Sequence, residues 1–164
     1  MDSTEEWKEI VPGTYWLNRS GKVFNGSRIL KPWIHNGYYE LTLQINGKKK
    51  HFPIHKLIGD NFIPNPESKR CLDHINGDRL DNRIENLRWA TNSENMWNRK
   101  TTFSESGYKG VSLTNCGKYR ALITCHKKTH YLGIYKTAKE AHEAYCEAAK
   151  KLHGEFHNPG PTKV

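Results

Sequence analysis

Asp73 and His74 stand side by side in the stretch CLDHINGDRLDNRIENLRWATNSENMWN, which runs from Cys71 to Asn98 and holds Asn95 near its end. An imidazole titrates close to neutral pH and can take a proton from an attacking water. A carboxylate and an amide oxygen are hard donors; together they can hold a divalent cation that keeps most of its waters, as Mg2+ does. Such a cation offsets the charge that builds on a phosphate and on a leaving oxygen. Asp73, His74 and Asn95 therefore read as parts suited to hydrolysing a phosphodiester bond.

The composition points to a polyanionic partner. The chain of 164 residues has a formal net charge of +9 and an isoelectric point near 9.4, a balance that favours nucleic acid. The charge is unevenly spread. Counting Lys and Arg against Asp and Glu, residues 1–60 carry +3, residues 61–106 are neutral and residues 107–164 carry +6. A neutral chemical centre thus lies between two basic arms. Hydrophobic residues make up 35% and the mean hydropathy is −0.85, which suits small modules better than one large core. No run approaches the ~20 apolar residues of a membrane span, and the opening MDSTEEWKEI is acidic, without the apolar segment of a signal peptide. Cys71, Cys116, Cys125 and Cys146 are scattered with no Cys-x-x-Cys pair. They read as free thiols of a reducing cytoplasm, and no structural zinc is expected.

The elements that must position the chemistry can be sketched from periodicity. GKVFN and YYELTLQI read as strands, and Asn46-Gly47 as the turn of a hairpin closed by HFPI. Ile54, Leu57, Ile58 and Phe62 recur at helical spacing, so a short helix should begin near Pro53. CLDHI and LRWAT read as two short strands, and Thr91 with Glu94 as a capping box opening a helix that carries Asn95. RKTTFSESG is a linker. YKGVSLT, KYRALITCH and THYLGIYK then read as three strands. TAKEAHEAYCEAAKKLHG is a helix with a second capping box at Thr137 and Glu140, a stripe of Ala141, Ala144, Tyr145, Ala148 and Leu152, and a terminating Gly154. Neighbours on a regular strand point to opposite faces, so a backbone break or strong twist is expected between Asp73 and His74. Asn82, Asn92 and Asn98 read as turn or capping residues, Trp89 and Trp97 as core, and His55 as a helix-start residue that packs or touches phosphate.

From Asp73 through Asn95 the pattern DHINGD…DNRIENLRWATNSEN resembles the HNH homing endonucleases of phages and group I introns. The resemblance implies His74 as general base, Asp73 and Asn95 as ligands of one Mg2+ for which Mn2+ substitutes, and Asn86 as the residue that ties the loop and orients the base. EEWKEIVPGTYWLNRSGKVFNG is similar to the NUMOD-type amino-terminal module of such nucleases, and IHKLIGDNFIPNP to the helix leading into their active site. GYKGVSL…GKYRALI…YLGIYKTAKEAHEAYCEAAKKLHGEF resembles the Apetala/ethylene-response DNA-binding domain, whose three-stranded sheet enters the major groove. That likeness implies Lys109, Ser112, Arg120, Thr124, His130 and Tyr131 on the DNA-facing sheet. Lys109 and Tyr131 stand where the plant domains usually carry Arg and Trp.

The expected fold is α+β: a ββα-metal core flanked by a small β-rich module and by a three-stranded antiparallel sheet packed on one helix. The expected boundaries are a β-rich DNA-contacting module at 1–52, a nuclease core at 53–100, a linker at 101–106 and the DNA-binding domain at 107–159. The expected activity is cleavage of double-stranded DNA at chosen sites, leaving 5′-phosphate and 3′-hydroxyl ends; the alternative is a non-enzymatic DNA-binding regulator with a relic HNH segment. Beyond the sheet residues, Lys49, Lys50, Arg88, Arg99, Lys100, Lys118, Lys127 and Lys128 are expected to touch DNA. The chain should act as a monomer or weak dimer in the cytoplasm of a phage-infected bacterium, with no membrane partner and no small-molecule cofactor.

Overall fold

The computed structural model describes residues 6–100 and 105–160. The fold is α+β, with short antiparallel sheets and three helices among the described residues. The chain divides into two compact units, 1–90 and 91–164.

The first unit opens with β1 (Trp7–Val11), β2 (Tyr15–Asn18) and β3 (Val23–Phe24) in one antiparallel sheet. A second sheet follows with β4 (Trp33–His35), β5 (Tyr38–Ile45) and β6 (Lys48–Pro53). The expected hairpin turn is present: Ile45 pairs with Lys48 across Asn46 and Gly47, both at positive φ, the backbone that Asn-Gly adopts most readily. Helix α1 (Ile54–Phe62) starts directly after Pro53, whose missing N–H costs nothing at a helix start. It buries Ile54, Leu57 and Ile58. Gly59 lets it settle on the next strand, since a Cβ there would lie 2.7 Å from Leu72 Cδ2. β7 (Cys71–His74) and β8 (Leu87–Ala90) form a two-stranded ladder, joined by a loop that ends in a 3-10 turn at Ile84–Asn86.

One core holds this unit together. Tyr15, Leu17, Val23, Leu41 and Leu43 are buried in the same cluster as Ile54, Leu57, Ile58, Leu72 and Leu87. The residues on either side of the 52/53 boundary thus share one hydrophobic interior. Each short sheet has one apolar face to bury, and pooling those faces around α1 makes one core.

The second unit contains α2 (Asn92–Trp97), β9 (Val111–Leu113), β10 (Tyr119–Cys125), β11 (Lys128–Tyr135) and α3 (Ala138–Leu152), with strand order β11-β10-β9. Both capping boxes form: Thr91 with Glu94, and Thr137 with Glu140. The unit boundary falls at Ala90/Thr91, ahead of the linker read at 101–106, of which residues 101–104 lie outside the described ones. Helix α2 groups with the carboxy-terminal sheet because Trp97 stacks on His153 at 4.4 Å and the Lys109 amine donates to the carbonyls of Trp97, Arg99 and Asn158.

The buried stripe of α3 differs from the one read off the sequence. Ala141, Tyr145 and Ala149 form a straight i, i+4 row with His142 beside it, while Leu152 is 37% exposed and Ala144 and Ala148 are only partly covered. The backbone of β9 and β10 approaches this row closely. A Cβ on Gly110 would lie 2.1 Å from the Tyr145 ring. A helix seated that near a sheet presents its narrowest row of alanines rather than the wider face that would include Leu152.

Candidate active site

Asp73 and His74 close strand β7 and are 4% and 5% exposed. The expected break between them does not occur in the ladder. Pairing runs Cys71↔Ala90, Leu72↔Trp89, Asp73↔Arg88 and His74↔Leu87 without a register shift. The chain turns only after His74, where Gly77 N–H donates to the His74 carbonyl at 2.8 Å. Because the ladder is regular, the two side chains take opposite faces.

On one face lies Asp73 with Arg88 directly across the ladder. Arg88 Nε–H donates to Asp73 Oδ2 at 3.0 Å, and the two side chains are 14% and 5% exposed. Arg88, read as a DNA contact, thus donates through Nε to a buried carboxylate, a charge-assisted hydrogen bond.

His74 on the other face sits among rings. Its centroid lies 5.1 Å from His55, in the first turn of α1, and 6.1 Å from Tyr38 on β5. Tyr38 and His55 are themselves 4.9 Å apart, and the Arg79 guanidinium lies 5.0 Å from the Tyr38 ring centre. Burial, with the neighbouring His74 and Lys56 adding to it, pushes His55 down to about 4, so it is neutral at physiological pH. His55 Nδ1 is buried without a hydrogen-bond partner. On the far edge of the His74 ring, Nε2 lies 2.9 Å from Asn82 Oδ1.

The loop between the strands is cross-braced by amides. Asn86, 7% exposed, donates through Nδ2 to the Asp81 carbonyl at 2.7 Å and to Asn76 Oδ1 at 3.0 Å, and its Oδ1 accepts from Asn76 N–H at 3.0 Å. Its backbone carbonyl accepts from Ile75 N–H. Asn76 Nδ2 donates to Asp81 Oδ2, and Arg83 grips both Asp81 oxygens at 2.8 Å. Those Arg83 hydrogen bonds hold the Asp81 carboxyl down at about 2. The acids and amides crowding this stretch are therefore largely loop architecture around one imidazole and one carboxylate.

Asn95 lies on α2, in the second unit, where its N–H donates to the Thr91 carbonyl. Asn98 is 4% exposed and its Oδ1 accepts from Asn158 Nδ2 at 3.1 Å. The Asp73 carboxylate and the Asn95 amide each offer an oxygen donor of the kind that hard divalent cations take.

The residues read as DNA contacts separate into groups. Lys49 and Lys50 are exposed neighbours on β6, and Arg99 and Lys100 follow α2. Lys118 and Lys127 lie exposed in turns, and Lys128 opens β11. Ser112, Arg120, Leu122, Thr124 and Tyr131 share the face of the sheet opposite α3, through the pairs Ser112↔Arg120, Leu122↔Tyr131 and Thr124↔Thr129. Two expectations are corrected. His130 pairs with the buried Ile123 and so takes the helix side of the sheet; adjacent strand residues cannot both face outward. Lys109 precedes β9, and its amine is spent on three carbonyls, with burial pushing it down to about 8.

Sequence reasoning missed Asn82, His55 and Tyr38 as the surroundings of His74. Asn82 carries no local signal beyond its place in a turn. His55 could have been suspected, as the histidine one residue into a helix that had to pack on the CLDHI strand.

Residues 53–97 match the family model described as HNH endonuclease. Over 136 residues the chain is 36% identical to an uncharacterized HNH endonuclease of Acanthamoeba polyphaga mimivirus, a match covering 77% of this chain and 31% of that protein. It is 35% identical over 104 residues to the DNA endonuclease I-HmuI of Bacillus phage SP01, covering 58% of this chain and 60% of that one. The solved structure titled "DNA binding and cleavage by the HNH homing endonuclease I-HmuI" aligns over 94% of both chains with a TM-score of 0.53 and 27% identity. An ethylene-responsive transcription factor of Arabidopsis thaliana is 37% identical over 86 residues, 51% of this chain and 25% of that protein. The chain thus spans less than two thirds of the length of these curated relatives.

Proposed function

We propose that this chain, whose residues 53–97 belong to the HNH endonuclease family, is a homing-type endonuclease that hydrolyses phosphodiester bonds of double-stranded DNA. The observation that carries the reading is His74 itself: a buried imidazole with one nitrogen 2.9 Å from Asn82 Oδ1, next in sequence to a buried carboxylate, within the family segment.

In this reading His74 takes a proton from the attacking water, which displaces the 3′ oxygen in line and leaves 5′-phosphate and 3′-hydroxyl ends. Asp73 and Asn95 are the residues that would hold a divalent cation, Mg2+ or Mn2+, which supplies charge neutralisation at the scissile phosphate. Arg88 holds the Asp73 carboxylate in place through the Nε–H hydrogen bond. Asn86 keeps the loop closed under the imidazole. Delivery to the duplex falls to the cations of the two basic segments: Lys49 and Lys50 in a NUMOD-type module, Arg99 and Lys100 after α2, and Lys118, Arg120, Lys127 and Lys128 around the outer sheet face with Ser112, Thr124 and Tyr131. The outward register of that face and the match to the plant transcription factor support an Apetala-type sheet reading DNA.

The test is incubation of supercoiled and linear duplex DNA with the protein in Mg2+, in Mn2+ and in EDTA. Cleavage is expected with either metal and none in EDTA. His74→Ala should lose turnover by at least about 100-fold while its DNA affinity stays within about twofold. Cleavage by that variant at the original rate would remove the base assignment, and DNA binding without any cleavage would favour a regulator.

A further inference from the structure

We propose that the outer face of the β9–β11 sheet selects duplex DNA rich in thymine, with Leu122, Tyr131 and Ile134 packed on thymine methyl groups; this rests on the reading of that face as one that meets DNA. Leu122 pairs with Tyr131, and Ile134 with Arg120, on the face opposite α3. Tyr131 is 62% exposed and Ile134 51%, while Leu122 is partly covered. A bulge builds this apolar group. Ala121 pairs with Gly133 and Leu122 with Tyr131, so Leu132 is the extra residue. Leu132 packs into the core under α3, and Gly133 supplies a positive φ at the bulge. Without the extra residue, Tyr131 and Ile134, three apart, would take opposite faces.

The surroundings choose the occupant. Residues 111–139 hold five Lys and one Arg with no Asp or Glu, so the apolar group sits in a cationic field that suits a polyanion. On the major-groove edges of the four bases the apolar group is the C5 methyl of thymine. Guanine is read best by the planar fork of arginine, and Arg120 is the only arginine in residues 100–164. The Thr124 and Thr129 hydroxyls bond each other at 3.0 Å, and threonine hydroxyls discriminate little between bases. One guanidinium beside three apolar side chains makes thymine the base this face favours.

The test uses the full chain in EDTA, so that binding is read without cleavage. Duplexes are selected from a random pool, and the winners are remade with deoxyuridine in place of thymidine. The two pair alike and differ only in the methyl. The selected sites should contain a thymine-rich run, and uracil there should weaken binding about fourfold for each contacted methyl removed. Tyr131→Ser and Ile134→Thr, made together on exposed side chains, should bring the thymine and uracil duplexes within about 1.5-fold of each other. Sites without a thymine run, or equal binding of the two duplexes by the unaltered protein, overturn the proposal. If the double variant and Arg120→Gln leave affinity for every duplex unchanged, the sheet does not meet DNA and that underlying reading falls as well. If Arg120→Gln weakens binding while thymine and uracil bind alike, only the methyl contact fails. Capture by phosphatidylserine vesicles that the double variant abolishes, with DNA affinity intact, would assign the face to a membrane surface and overturn the proposal.

Discussion

Replacing Asn86 by alanine should loosen the loop that carries Asn82, the hydrogen-bond partner of His74. The Asn86 side chain makes three hydrogen bonds, two donated by Nδ2 and one accepted by Oδ1. Each contributes about 1 kcal/mol net, and a buried partner left without one costs about 1–3 kcal/mol. Asn76 is exposed, so water recovers part of its loss; the Asp81 carbonyl is half covered and recovers less. The sum is about 2–3 kcal/mol. For a unit of roughly 90 residues that corresponds to a melting temperature lower by roughly 10–15 °C. Thermal unfolding gives the global number, and hydrogen exchange at the Ile75 and Asn76 amides, both bonded to Asn86, localises it. Well below the new melting point, cleavage should fall further than the unfolded fraction explains, because the loop presents Asn82 to His74. A loss under about 0.5 kcal/mol, with those amides still protected, would refute the bracing role.

Lys109→Met should destabilise the second unit by about 2–3 kcal/mol in urea unfolding, since three carbonyls lose their donor, while the salt dependence of DNA binding stays unchanged. Arg88→Met should likewise act on stability, by about 1–3 kcal/mol in the same assay, because it takes the cation from a buried carboxylate. His55 is held at about 4 in the fold against about 6.5 when unfolded. Between those values the unfolded chain binds more protons, so stability is complete above pH 6.5 and falls as pH drops toward 4. Discounting for partial exposure, the loss is about 2 kcal/mol; His55→Gln should flatten that slope in denaturation curves taken from pH 7 to pH 4.

Local signals were legible in the chain by itself. Thr91 with Glu94 and Thr137 with Glu140 specify helix starts because the capping box is completed within four residues. Asn46-Gly47 specifies a hairpin because both residues tolerate positive φ. Asp73 and His74 declare a carboxylate and an imidazole at one strand end whatever lies around them. Contacts between residues distant in sequence were decided only by the tertiary structure. Arg88 and Lys109 look like surface cations in the sequence, and became a carboxylate's partner and a clamp on three carbonyls because other elements brought those acceptors to them. His130 and Tyr131 are equally polar-aromatic neighbours, and strand register alone sent one to the helix side and the other outward. Asn82 looked like any turn asparagine until the folded loop laid its oxygen against Nε2. A sequence states which groups are available. Burial and register, which depend on every element at once, determine which of them meet.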